Sequence, residues 1–208
     1  MPDYAGQVAQ EVMVGFGYKT GWLTVRDGDA DAVLAELGAQ SVGPIAWRDG
    51  IRQAYDREDS LLVTPPLDGW RLVAGWWIAA HYERLDTAAL SRALGGEVQL
   101  FVTHRVVELH HWERALAGEV VRSFEYLGEK GEVTRWVGAP DEVERAIGLP
   151  ASFVLDRAPD EEDYDVIVDE RDVMRVAAAW SVDPSSLDGR PAPGPLTVAR
   201  GPQWSNSR

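Results

Sequence analysis

The fold is decided by residues 97–137, which read EVQLFVTHRVVELHHWERALAGEVVRSFEYLGEKGEVTRWV. Apolar and β-branched side chains alternate with polar ones through most of this stretch, which is the period of a half-buried strand. Two glycine-containing turns interrupt it, at Ala117-Gly118 and at Gly128–Gly131. The pattern predicts consecutive antiparallel strands at 97–103, 104–113, 119–127 and 132–137.

One of these segments has a helical alternative. Residues 104–117 include Arg114-Ala115-Leu116, three residues of good helix propensity. We favour the strand, since consecutive strands joined by short turns account for the whole stretch.

Outward from this stretch, strand and helix signals alternate. Further strands are predicted at 21–26, 61–64 and 70–77, and the last is nearly continuous in its apolar character, as in a strand buried on both faces. Helices with polar N-caps or glycine ends are predicted at 29–37, 47–55, 87–94, 140–147 and 169–180. Together they predict an α+β fold, in which helices pack on a mixed or antiparallel sheet whose strongest strands lie at 97–137.

The length and the composition define one domain and a tail. The chain has 208 residues, which fits one domain, and we place that domain at residues 1–182. From Asp183 onward the sequence is rich in proline, serine and glycine. Such a segment buries too little apolar surface to offset the entropy of ordering it. We therefore expect residues 183–208 to be a flexible, disordered tail.

Charge and composition narrow the classes of partner. The net charge is −14, from 34 acidic and 20 basic side chains, so nucleic acids are repelled and a basic protein partner is favoured. The absence of cysteine excludes disulfides and thiol chemistry and suits a cytoplasmic protein. No apolar run has the length of a membrane span, and the first residues lack the pattern of a signal peptide. We expect no membrane association and no cofactor, since no phosphate-binding loop is present.

Three of the four histidines fall within residues 104–113. On a strand, His104, Glu108 and His110 would share one face, because the side-chain period is two. Two imidazoles and a carboxylate on one face are candidates for proton transfer or for metal ligation. The structural alternative is a solvent-facing polar stripe, and the spacing differs from that of the His-Glu-x-x-His zinc helix.

A second candidate is a binding surface for a basic partner. An acidic run near residue 160 supplies most of it, and exposed tryptophans would complete it, because tryptophan is enriched at the energetic centres of interfaces. The structural alternatives are a solvated acidic loop and tryptophans that anchor the core. The candidate binding residues are Asp160, Glu161, Glu162, Asp163, Asp165, Trp76 and Trp77.

Four motifs carry a resemblance to known sequences, at Lys19–Leu23, Val63–Trp70, Gly96–Phe101 and Trp180–Pro184. Through them most of residues 18–185 resembles a family of uncharacterised hypothetical proteins from GC-rich bacteria. In its general build (small, acidic, tryptophan-rich and α+β) the chain is also similar to bacterial immunity proteins that neutralise secreted toxins. The second likeness implies a protein partner and brings no catalytic residues with it.

Three functional hypotheses follow. The first is a protein-binding module, such as an immunity-type inhibitor or regulator, with an acidic interaction surface. The second is a metal-dependent or His/Glu-based enzyme, or a small-ligand-binding protein, that uses the His104–Glu113 window. The third is a domain that forms a homodimer across an edge strand of its own sheet. We favour binding over catalysis.

Overall fold

The computed structural model describes residues 11–155 and 166–204. Within these residues nine strands form one open antiparallel sheet, and helices cover both of its faces, so the predicted α+β fold is confirmed. No helix in the described residues is long and apolar enough to cross a bilayer.

The strands are β1 (Gly21–Arg26), β2 (Gln40–Ile45), β3 (Ser60–Val63), β4 (Trp70–Gly75), β5 (Val98–His104), β6 (Leu109–Leu116), β7 (Glu119–Leu127), β8 (Glu132–Val137) and β9 (Leu196–Arg200). The helices are α1 (Ala30–Glu36), α2 (Trp47–Asp56), α3 (Trp76–His81), α4 (Thr87–Leu94), α5 (Glu142–Ala146) and α6 (Glu170–Trp180). The strand order is β2-β9-β3-β4-β1-β5-β6-β7-β8.

The two faces of the sheet differ in their side chains. One face, here called the tryptophan face, packs large aromatic rings such as Trp22, Phe101 and Trp112 against α2, α5 and α6. The other, here called the aliphatic face, packs residues such as Leu23 and Leu100 against α1, α3 and α4. Successive strand residues point to opposite faces, so each central strand supplies both cores.

The strands predicted at 97–137 are confirmed as β5 to β8, with one shift. The strand expected to begin at His104 begins at Leu109, because residues 105–108 form the turn between β5 and β6. Glu108 has a φ of 49° in this turn, in the left-handed region. The helical alternative for residues 104–117 is wrong, since Leu109–Leu116 is a strand paired on both sides.

The strand predicted at 70–77 ends early and is followed by a helix. Gly75 has a φ of 151°, and a Cβ there would lie 2.5 Å from the carbonyl oxygen of Ser60. The chain therefore turns at a position that only glycine fits, and α3 begins at Trp76. Because β4 is buried on both sides before that turn, its apolar run continues into the helix without a break.

The expectation of a disordered tail is wrong for residues 183–204. The short β-prone run Leu196–Arg200 forms β9, which pairs with both β2 and β3 inside the sheet. Leu196 is 0% exposed, and the indole of Trp47 donates to the carbonyl oxygen of Gly194 at 2.8 Å. Two ladders of backbone hydrogen bonds and this burial offset the ordering entropy of the proline-rich flanks. Residues 205–208 lie outside the described part of the chain.

Both edges of the sheet carry a bulge. In β2 the pairing with β9 shifts between Ser41 and Gly43, and the partner register of β8 skips Thr134. Bulges bend an edge strand and interrupt its row of free backbone donors and acceptors. The homodimer across an edge strand stays a prediction, and these bulges weigh against pairing through a continuous sheet.

A buried ion pair fastens α5 to the tryptophan face. Arg122 Nε donates to Glu144 Oε1 at 2.8 Å, and the indole of Trp112 donates to the same oxygen at 2.6 Å. Glu144 is 0% exposed and Arg122 is 4% exposed. The other oxygen of Glu144 accepts from the backbone of Asp141, and Asp141 in turn accepts from the indole of Trp180 in α6 at 2.6 Å. One carboxylate thus connects β6, β7, α5 and α6.

Leu196→Ala tests whether β9 is part of the core. We expect the free energy of unfolding to fall by about 2–5 kcal/mol, because most of a buried leucine side chain is removed and a cavity is left. Val42→Ala, at an exposed position of neighbouring β2, should change it by less than about 0.5 kcal/mol. Equal effects of the two variants in urea titrations would show that the last strand is not packed.

Glu144→Gln tests the buried pair. We expect a loss of about 3–5 kcal/mol in the free energy of unfolding, because the guanidinium of Arg122 stays buried without its counter-charge. Asp49→Asn makes the same change from acid to amide in the exposed pair with Arg52. It should lower the free energy of unfolding by less than about 1 kcal/mol. Denaturant titration of both variants at neutral pH makes the comparison.

Candidate functional site

A cleft of about 650 Å³ opens on the tryptophan face, at the end of the sheet where the turn between β5 and β6 lies. Four separate parts of the chain form it: the loop before β1, the β5–β6 hairpin, β7 and the segment that leads into α6. Its lining residues are Tyr18, Arg105, Glu108, His110, Tyr126, Ile167, Val168, Asp169, Glu170 and Arg171.

His110 and Tyr126 form the floor. They are direct partners in the register of β6 and β7, so both side chains leave the same face of the sheet. Their rings lie with centroids 6.5 Å apart and planes within 10° of parallel. Both residues are buried, and His110 is only 3% exposed. The floor is therefore a pair of rings held by the sheet, which is the rigid part of the site.

The β5–β6 turn forms one wall. Its left-handed residue, Glu108, directs the carboxylate back over Gly128, whose missing Cβ leaves the space that this side chain occupies. Gly128 also donates its backbone N–H to the carbonyl oxygen of Glu108 at 3.0 Å. Arg105, in the same turn, is exposed at the rim of the cleft.

Tyr18 forms a second wall, and hydrogen bonds fix the loop that carries it. The hydroxyl of Tyr55 accepts from Gly17 N at 3.1 Å and donates to the carbonyl oxygen of Tyr18 at 2.8 Å. Burial raises the pKa of Tyr55 to about 12, so this hydroxyl keeps its proton at neutral pH. On the other side of the loop, Lys19 N donates to Thr103 Oγ1 and to Glu170 Oε1, at 2.9 and 3.2 Å.

The start of α6 forms the third wall. Asp169 caps the helix by accepting from the backbone N–H groups of Arg171 and Asp172, and Asp172 closes a capping box by accepting from Asp169 N. Just before the cap, Val168 packs into the core whereas Ile167 is 74% exposed. Two carboxylates on this wall are thus already occupied by the helix backbone.

The electrostatics of the cleft centre on His110. Burial lowers the pKa of its imidazole, and the nearby carboxylates oppose that shift without reversing it. These carboxylates belong to Glu170, Asp169, Glu108 and Asp172. At neutral pH the ring is therefore uncharged. One of its nitrogens then carries a proton and donates a hydrogen bond, and the other accepts one. Its Nδ1 has no hydrogen-bond partner among the described residues.

Of the three residues predicted to form a histidine site, the structure places two in the same cleft. Glu108 and His110 line the same cleft, as the shared face predicted, although they reach it from a turn and a strand. His104 does not join them. The hairpin pairs His110 with Thr103, so His104 points to the opposite face, where its ring lies 5.3 Å from that of Trp76.

The three candidate metal ligands, His104, Glu108 and His110, are therefore not brought together by the fold. Within residues 11–155 and 166–204, no group of three or more histidine, cysteine, aspartate or glutamate side chains is placed to hold a metal ion. The prediction failed because it assumed one uninterrupted strand, whereas the turn at 105–108 restarts the period.

The predicted acidic binding surface falls mostly outside the described residues, which do not include Asp160, Glu161, Glu162, Asp163 and Asp165. Trp77 was expected on that surface, and this is wrong: its indole is buried on the aliphatic face and donates to the carbonyl oxygen of Pro202 at 3.1 Å. Trp76 is half-buried against His104. The turn at Gly75 explains both positions, since it converts the strand into a helix that packs on the sheet.

Sequence reasoning missed the other components of the cleft. Tyr18 and Glu170 lie far from His110 along the chain, Tyr126 lies on the next strand, and none belongs to a motif. The one available signal was the strand period, which places Tyr126 opposite His110 once the turn at Ala117-Gly118 is recognised.

A second buried imidazole, His111, lies on the aliphatic face. Its side chain is fully buried, with Nδ1 3.4 Å from Glu125 Oε2 and the ring of Tyr82 at 5.4 Å. Burial, with a smaller contribution from the charge of Arg135, lowers the pKa of His111 from 6.5 to about 3. His111 is thus a neutral core residue, and it faces away from the cleft.

This burial predicts how stability depends on pH. The unfolded chain protonates His111 below about pH 6.5, whereas the folded protein does so only near pH 3. The free energy of unfolding should therefore fall as the pH falls through this window, by up to about 1.4 kcal/mol per pH unit for this one proton. His111→Gln should reduce that slope in urea titrations from pH 7 to pH 4. An unchanged slope would show that the imidazole titrates normally in the folded state.

Comparisons of the chain with protein-family profiles, characterised proteins and solved structures find no match. The likeness to hypothetical proteins of GC-rich bacteria and the similarity to immunity proteins stay predictions. The functional interpretation therefore depends on the geometry of the cleft.

Proposed function

We propose that this chain is a small-ligand-binding protein whose site is the His110 cleft. The observation that carries this proposal is a buried, neutral imidazole that lines an open cleft of about 650 Å³ and whose Nδ1 has no hydrogen-bond partner among the described residues. Buried polar atoms in folded proteins are nearly always hydrogen-bonded, so an unpartnered one beside a cleft is a position for a ligand group.

The rest of the lining supports a ligand site. The volume lies within the range of about 300–1,000 Å³ that is typical of small-molecule pockets. Two tyrosine rings and two aliphatic side chains supply apolar contact, and a few charged groups give direction. The floor is fixed by the sheet and Tyr18 by four hydrogen bonds to its loop, so little ordering entropy is lost on binding.

His110→Phe tests this proposal, because it keeps a ring of similar shape and removes both nitrogens. We expect at least one member of a library of small amines, alcohols, carboxylic acids and nucleosides to shift the imidazole NMR signals of His110 with a Kd below about 1 mM. The same compound should bind His110→Phe at least tenfold more weakly.

His104→Phe is the matched control, since it makes the same change on the opposite face of the sheet. It should leave the affinity unchanged. If no compound shifts the His110 signals, or if both variants bind equally well, the cleft is not the site.

We propose protein binding as a second candidate function. It is supported by the net charge of −14 and by two exposed apolar side chains, Ile167 in the cleft lining and Val106, which follows the lining residue Arg105 in the chain. Exposed apolar residues that are surrounded by charged residues are typical of interaction sites. An immunity-type role would require a basic toxin encoded beside this gene.

The test is to measure association with the product of such a neighbouring gene at several salt concentrations. Electrostatic steering predicts an association rate that falls steeply between 50 and 500 mM salt, roughly tenfold or more. A rate that is independent of salt, or no complex at all, would argue against an acidic docking surface.

A further inference from the structure

The charges around His110 have one sign. The groups that act electrostatically on its ring are carboxylates, from the β5–β6 turn and from the first turn of α6. Asp172 is already paired, through Asp169 N and Arg175 Nη1. The carboxylate of Glu108 has no hydrogen-bond or ion-pair partner among the described residues, and Glu170 uses one oxygen for Lys19 N. Two carboxylates therefore remain available to a ligand beside the imidazole.

The arginines of the cleft do not cancel this charge. Arg105 and Arg171 are both exposed at the rim, as is Glu108, whereas Glu170 is half-buried, so water and salt screen Glu170 least. Among the described residues, the charged groups that act on His110 include no arginine. The charges that act on His110 are thus negative, although two positive side chains also line the cleft.

The neutral imidazole fits the same chemistry. An uncharged ring offers one lone pair, which accepts a hydrogen bond from an ammonium or guanidinium donor. The ring of Tyr126 lies parallel beside it, and Tyr18 also lines the cleft, so a cation bound there has two aromatic side chains to contact. Ile167 and Val168 supply apolar surface for the body of the same ligand.

From these contacts we infer that the ligand of the His110 cleft is an organic amine, with a cationic nitrogen between Glu108, Glu170 and His110 and an apolar or aromatic body against the two tyrosines. This inference rests on the proposed ligand-binding function and names its substrate class. A negatively charged protein also concentrates cations near its surface, which favours the encounter.

Two matched series of probes test the class of ligand. The first is 2-phenylethylamine, 2-phenylethanol and 3-phenylpropionate, and the second is hexylamine, 1-hexanol and hexanoate. Each is titrated into the full chain while the imidazole signals of His110 are followed by NMR. We expect the amine of at least one series to bind at least tenfold more tightly than its alcohol, and the carboxylate to bind more weakly still.

Two charge-neutralising variants locate the cation. Glu108→Gln and Glu170→Gln should each weaken amine binding about fivefold or more and leave the affinity for the alcohol within about twofold, because only the charge is removed. Glutamine keeps an acceptor for Lys19 N, so Glu170→Gln preserves the Tyr18 loop. Glu119→Gln is the control: it makes the same change at an exposed position at the other end of β7 and should have no effect.

The outcomes separate this inference from the proposed function. If the carboxylate or the alcohol binds best and shifts the His110 signals, the cleft is a ligand site and the amine class is wrong. If amines bind and neither variant weakens them more than Glu119→Gln does, the cation is not held by these carboxylates. If no probe shifts the signals and the wider library also fails, both proposals are wrong.

Discussion

The arrangement of the tryptophan face depends on the buried carboxylate of Glu144. It accepts hydrogen bonds from a strand arginine, a strand tryptophan and the backbone of its own helix cap. Through Asp141 the same network holds Trp180 at the end of α6. A buried charge is tolerated only when its partners satisfy it, so all of these elements must be in place together. The first turn of α6 is a wall of the cleft, which connects the site to this network.

The cleft and the hydrogen-bond network around Glu144 are built in a similar way. In both, residues distant in the sequence meet on one face of the sheet, and a charged group is placed by a helix terminus. In the network the acceptors are filled by the protein itself, whereas in the cleft the carboxylate of Glu108 and one oxygen of Glu170 have no partner in the part of the chain that the structure describes. The difference explains why one cluster serves stability and the other is proposed to serve binding.

The periodicity of apolar residues and the turn residues were sufficient to predict most of the fold. The alternation in residues 97–137 and glycines such as Gly95 and Gly118 determine four strands and the end of a helix, and these are confirmed. What the sequence did not reveal depends on tertiary pairing. The strand at Leu196–Arg200 is too short and too close to prolines to stand out, and its stability comes from neighbours more than a hundred residues away. For the same reason only part of the site could be predicted. Glu108 and His110 are close in the sequence, whereas Tyr18 and Glu170 approach them only in the folded structure.

The position of β9 has a consequence for how this protein is made. It inserts between β2 and β3, which precede it in the chain by well over a hundred residues. During translation β3 is therefore finished long before its outer partner leaves the ribosome, and its outer edge stays open for that time. Unpaired strand edges recruit other chains, and distant pairings form slowly. The nascent chain thus keeps an open strand edge until β9 has left the ribosome, and a chaperone that covers this edge would protect it until then.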